Sequence, residues 1–77
     1  MKQADALIVL EEVALSLRDS AEAISVESAF DEGRLTAYYE ALSSIVSQCD
    51  VAGIDLGEIG LAGFVPESIL RAAKKAA

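Results

Sequence analysis

The chain contains no histidine and no tryptophan, and it has a single cysteine, Cys49. Without histidine it lacks the commonest general base, the usual zinc ligand and the side chain that titrates near neutral pH. One cysteine cannot form an intrachain disulfide, so nothing in the sequence suggests a disulfide-stapled secreted scaffold. These absences predict that the protein is not an enzyme and uses no metal or cofactor.

Basic residues are scarce, because 6 lysines and arginines accompany 13 aspartates and glutamates, for a net charge of −7. Nucleic acids and anionic membrane surfaces are bound mainly through basic side chains, so we expect neither partner. No apolar run is long enough to span a membrane. The run from Ala6 to Leu10 is also too short for the core of a signal peptide, which predicts a cytoplasmic protein.

Large apolar side chains are limited as well, since many of the 53% apolar residues are alanines. A chain of 77 residues forms at most one domain (1–77). A single core of this size supplies only about 3–5 kcal/mol of net stability. Either the packing is very regular or a second copy of the chain contributes to it.

The first third of the chain has a helical pattern. Apolar or small residues recur at intervals of three and four from Leu7 to Ile24, and no glycine or proline interrupts them. This spacing predicts a helix over about residues 4–26 whose seam packs along another helix. Further apolar residues lie beside or opposite that seam: Ile8, Val9, Val13 and Leu15. The first half of this helix is therefore expected to meet two partners.

A second seam with the same spacing runs from Leu35 to Ala52, and Gly53 follows as a left-handed helix stop. We expect a turn at about 27–32 and a second helix over about 33–52. Two long helices joined by a short turn form an antiparallel helical hairpin, so the predicted fold is all-α.

Beyond Gly53, glycines alternate with large apolar residues, which predicts an apolar loop folded back onto the hairpin rather than a tether. Asp55 and Glu58 fit a capping box at the start of a single helical turn over about 56–59. Pro66 is suited to the first position of a short C-terminal helix over about 66–75. The inward positions of that helix are predicted to be Ile69, Leu70 and Ala73.

No group of residues has the spacing of a chemical site. Adjacent acids such as Glu11 and Glu12 point about 100° apart on a helix and cannot act together. The acids near the glycine-rich loop do not follow the spacing of a calcium-binding loop. Cys49 lies on the second seam without a neighbouring base, as a buried structural thiol does. We predict no catalytic, cofactor-binding or metal-binding residue.

The segment from Gly33 to Leu61 contains the motifs AYYEAL (37–42) and GIDLGEIGL (53–61). It resembles short uncharacterised bacterial and prophage-type helical proteins, over a little more than a third of the chain. The resemblance implies a bacterial or mobile-element accessory protein, and it implies no activity, cofactor or site residue.

Two surfaces need cover in the predicted hairpin: the doubly apolar half of the first helix and a face of the second with small residues at 37, 41 and 44. A symmetric homodimer that forms a four-helix bundle would cover both. The candidate interface residues are Leu7, Ile8, Val9, Leu15, Tyr39 and Val46.

Two functions fit this surface. The favoured one is a non-enzymatic protein–protein interaction or regulatory module, acting as a homodimer or on another protein. The alternative is an acidic inhibitor that presents carboxylates as mimics of nucleic-acid phosphates and blocks a nucleic-acid-binding protein. The acids of the first helix would then form a stripe broken by Arg18: Glu11, Glu12, Asp19, Glu22 and Glu27.

Overall fold

The computed structural model describes residues 2–76, with the side chains of residues 2 and 4–71. Its elements are helix α1 (Gln3–Glu22), helix α2 (Ala29–Ala52), a 3₁₀ helix (Leu56–Ile59) and helix α3 (Glu67–Ala76). The described chain has no strand, and α1 packs along α2. The predicted all-α helical hairpin with a short C-terminal helix is therefore confirmed.

The core lies between the two long helices and under the chain that follows them. On α1 the buried seam residues are Ala14 and Ala21, seven residues apart. On α2 they are Leu35, Leu42 and Cys49, again seven apart, and the thiol is buried as predicted. The remaining buried apolar side chains come from the C-terminal segment, which we define as residues 53–76: Ile59, Leu61, Phe64 and Ile69.

The turn of the hairpin lies earlier than the sequence pattern predicted. α1 ends at Glu22 rather than near residue 26, and α2 begins at Ala29 rather than 33. Ser28 is the N-cap, because its hydroxyl oxygen accepts the Asp31 N–H at 3.2 Å. Asp31 also accepts the Glu27 N–H at 3.1 Å. These bonds satisfy amide groups that a helix start leaves free, which makes the earlier start favourable.

The C-terminal segment begins as predicted. Gly53 ends α2 with φ 72°, and the Ile54 N–H donates to the Cys49 carbonyl at 2.8 Å. Asp55 and Glu58 form the expected capping box of the 3₁₀ helix. In α3, Ile69 is buried and Leu70 is half-buried, as predicted, while the Ala73 side chain lies outside the described residues.

The molecule is a rod of 42 × 19 × 15 Å. Helix axes pack about 8–10 Å apart, so each short dimension accommodates two layers of helix but not three. The C-terminal segment therefore forms one layer on one side of the hairpin. None of the helices in the described chain is long and apolar enough to cross a membrane.

We expect Gly33→Ala to stabilise the protein by about 1 kcal/mol, because Gly33 lies in the interior of α2 and pays the helical penalty of glycine. A methyl group there meets nothing within 4 Å. Thermal unfolding followed by far-UV circular dichroism should show a midpoint raised by about 4–8 °C.

Gly53→Ala is the matched control, since its site is equally open but has φ 72°. It should lower the midpoint, because the left-handed conformation costs a residue with a side chain about 1–2 kcal/mol. Changes of the same sign in both variants would contradict the assigned helix boundaries.

Candidate interaction surface

Reactive side chains do not converge in this structure. Within the described residues, no group of three or more His, Cys, Asp or Glu side chains could hold a metal ion. Asp55 and Glu58 are occupied in capping the 3₁₀ helix, and Cys49 is buried in the seam. The surface of the helices is therefore where contact with another molecule can be sought.

One flank of α1 is covered by the C-terminal segment. Gly60 lies so close to α1 that a Cβ atom on it would be 2.9 Å from a carboxylate oxygen of Glu11 and 3.4 Å from the Leu15 methyl groups. The Arg18 guanidinium lies 4.7 Å from the centroid of the Phe64 ring. Glu11, Leu15 and Arg18 are four and three residues apart, so they share one flank of the helix.

The corresponding flank of α2 lies beside the same segment. Val46, Ser47 and Asp50 line a shallow groove of about 430 Å³ together with Ile54 and Leu56. The groove is open to solvent, and three of its five lining residues are apolar. The groove lies between the last turns of α2 and the start of the C-terminal segment, where the chain folds back.

The two sides of the hairpin can be told apart by position relative to the seam. Successive helical residues point about 100° apart, so Val13 and Leu15 lie on opposite sides of the buried Ala14. Because α2 runs antiparallel to α1, the residue that follows a seam position lies on the same side of the hairpin in both helices. Ser43, which follows Leu42 and has a buried hydroxyl oxygen, is on the covered side.

None of the described elements covers the opposite side. We call it the open side and define it by six residues, three from each helix: Ala6, Val9, Val13, Tyr38, Ala41 and Ile45. Val9 is 50% exposed and Val13 is 47% exposed, while Tyr38 and Ile45 are half-buried at the edge of the core. The open side is thus a continuous apolar strip across both helices.

The structure spreads the six predicted interface residues over several surfaces. Leu7 is half-buried in the seam, Leu15 lies under the C-terminal segment and Val46 lines the groove. Tyr39 is half-buried on the covered flank of α2. Ile8 is 58% exposed where the outer face of α1, which carries Asp5 and Glu12, borders the flank of Leu15, and Val9 alone of the six belongs to the open side. Their part in an interface stays a prediction.

Several residues of this surface were missed by sequence reasoning. Val13 was recognised as lying off the seam, yet it was not taken as an interface candidate. Phe30 is 73% exposed near the turn, beside the Arg34 guanidinium at 5.9 Å from its ring. The sequence feature that could have identified Val13 is its position directly before the seam residue Ala14. Phe30 was missed because the turn was predicted at about residues 27–32, which left Phe30 outside any predicted helix.

Comparison of the chain with protein-family models, with curated proteins and with solved structures gives no significant match. The resemblance to prophage-type proteins therefore stays a prediction, and the surface has to be interpreted from its own residues.

Two cation–π pairs allow the covering of α1 to be measured by double-mutant cycles. For Arg18→Gln combined with Phe64→Leu, we expect a coupling energy of about 1 kcal/mol, because Phe64 is buried and the pair lies between two packed layers. Arg34→Gln with Phe30→Leu is the matched control. Its ring is largely exposed and its separation is longer, so we expect no more than about 0.5 kcal/mol.

Urea unfolding of the four proteins in each cycle, at one fixed protein concentration, gives both coupling energies. Equal couplings in the two cycles would mean that the C-terminal segment does not hold Phe64 against α1 in solution.

Proposed function

We propose that this chain is a non-enzymatic protein–protein interaction module that acts through its helical surface as a homodimer. The observation that carries the proposal is the pair of exposed apolar side chains Val9 and Val13, four residues apart on the open side of α1 and each about half accessible. Scattered apolar residues are normal on a protein surface. Val9 and Val13, with the half-buried Tyr38 and Ile45 of α2 on the same side, form a patch of the kind that marks an interaction site.

The extent of the surface supports the same function. The chain exposes 5128 Å², whereas a compact monomer of 8.1 kDa is expected to expose about 4,500 Å². Its radius of gyration of 13.3 Å also exceeds the roughly 11.5 Å expected for this length. The elongated hairpin thus exposes more surface than a compact chain of its mass, and this surface has room for the roughly 800 Å² that each partner buries in a standard interface.

A second copy is the partner that the size of the core favours. Among the described side chains, nine form the buried hydrophobic core, and three of these are alanine or cysteine. A core this small leaves a single chain marginally stable. Pairing two hairpins in a four-helix bundle adds apolar burial and continues the regular packing of the seams. A small accessory protein of a bacterium or mobile element fits this description.

The acidic mimic is the second candidate, and exposed acids on α1 support it. Glu12 and Asp19 project from one ridge, while Glu22 lies 3.6 Å from Arg18 and Glu11 lies beside Gly60. Seven residues separate Glu12 from Asp19, about 10.5 Å along the helix. Duplex DNA carries one charge per about 1.7 Å. This low density of charge ranks the mimic second.

Sedimentation equilibrium tests the proposed function directly. At high micromolar concentration we expect a mass twice the 8.1 kDa of the chain. Raising the salt from about 50 to about 500 mM should leave that mass unchanged or strengthen association, because salt screens the repulsion between two chains of net charge −7. A monomer at both salt concentrations would overturn the homodimer and move the acidic mimic to first place.

A further inference from the structure

We propose that a second copy of this chain docks on the open side of the hairpin, so that two hairpins form a four-helix bundle with one C-terminal segment on each outer side. This inference rests on the proposed function, because it assigns the surface through which the homodimer forms. It selects the open side over the outer face of α1, where the most exposed of the predicted interface residues, Ile8, is found.

The hairpin core reaches solvent at the open side. Leu10 and Leu17 belong to the seam of α1 but are only half-buried, and they border Val9 and Val13. Ile45 borders the seam of α2 in the same way. On the covered side, the edge of α1 is contacted instead by the C-terminal segment, with Leu15 against Gly60 and Arg18 against Phe64. A second hairpin would close the uncovered edge as the C-terminal segment closes the other.

The open side also differs from the rest of the helix surface in its charge. None of the six residues that define the open side is charged. Their neighbours along the same strip include Ser16, Ser20 and Gln48, and at the turn end Arg34, whose guanidinium lies 3.8 Å from the Asp31 carboxylate and offsets its charge. In a chain with 13 acids, two copies can approach through this strip without bringing their carboxylates together.

The outer face of α1 lacks this property. Ile8 lies three residues after Asp5 and four before Glu12, so all three project from adjacent positions on the helix. Both acids are exposed. A second copy on this face would oppose like charges, which costs several kcal/mol in an interface. A basic partner would prefer the outer face, whereas a copy of the chain prefers the open side.

The one-sided cover also limits the number of copies that can associate. The C-terminal segment occupies one side of the hairpin, so each chain has a single open side to offer. When two such sides meet about a twofold axis, each buries the other. No open side is then left, so association stops at two copies. An uncovered hairpin with two equivalent sides would instead stack further.

A charge placed on the open side tests the assignment. In Val13→Glu, the twofold axis brings two new carboxylates into one apolar interface, so we expect the dimer dissociation constant to rise by at least about tenfold. Ile8→Glu is the matched control. It makes the same change at a comparably exposed position on the same helix, and we expect a change of less than about threefold. Both constants are measured by sedimentation, with circular dichroism to verify helix content.

Cysteine protection repeats the test without adding charge, should Val13→Glu fail to fold. In a Cys49→Ala background, Val13→Cys should react with iodoacetamide more slowly at high than at low protein concentration. Ile8→Cys should react at the same rate at both. If wild-type chain is dimeric and Ile8, not Val13, shows the effects, the assignment of the open side is overturned while the proposed function stands. A wild-type monomer overturns both.

Discussion

The close contact between α1 and α2 determines where every other part of this chain lies. α1 contributes small side chains to the seam, Ala14 and Ala21, which allow the helix backbones to approach each other. α2 contributes the large ones, Leu35 and Leu42, and all four are buried. Once these positions face inward, the 100° step of the helix assigns each neighbouring residue to one side of the hairpin or the other.

The C-terminal segment makes the two sides of the hairpin different, because it packs on only one of them. Gly53 and the capping box of Asp55 and Glu58 turn the chain sharply after α2. The segment then places Leu61 and Phe64 against the hairpin, where both are buried. The exposed apolar residues of the opposite side, Val9 and Val13, are the counterpart of this one-sided cover in the described chain.

The periodic parts of the fold were predictable from the sequence, and the turn was not. Seam spacing predicted both long helices, and the glycine and capping patterns predicted the end of α2 and the 3₁₀ helix. Gly33 was read as a helix boundary because glycine disfavours helix interiors. Three hydrogen bonds among Glu27, Ser28 and Asp31 outweigh that cost and start α2 four residues earlier. Each capping hydrogen bond is weak, so the sequence alone does not show whether their summed free energy exceeds the helix-propensity cost of Gly33.

The surface was predictable only in part, for a different reason. Apolar residues off the seam could be identified on α1, and Ile8 and Val9 are indeed exposed. Which flank stays uncovered depends on the side to which the C-terminal segment folds, and that is a long-range packing choice. Helical periodicity treats Val13 and Leu15 alike, since each lies 100° from Ala14. The contact of Gly60 with Leu15 distinguishes them.

The placement of the acids completes the distinction between the two sides. Exposed carboxylates such as Asp5, Glu12 and Asp19 follow the outer ridge of α1 at seven-residue intervals. Seven residues return a helix to nearly the same direction, so the acids stay on the ridge and never enter the apolar strip beside it. Net negative charge on the outer surfaces keeps chains apart in most orientations. Two copies that approach each other through the acid-free strip avoid that repulsion. The same charges therefore oppose random association and favour one geometry of pairing.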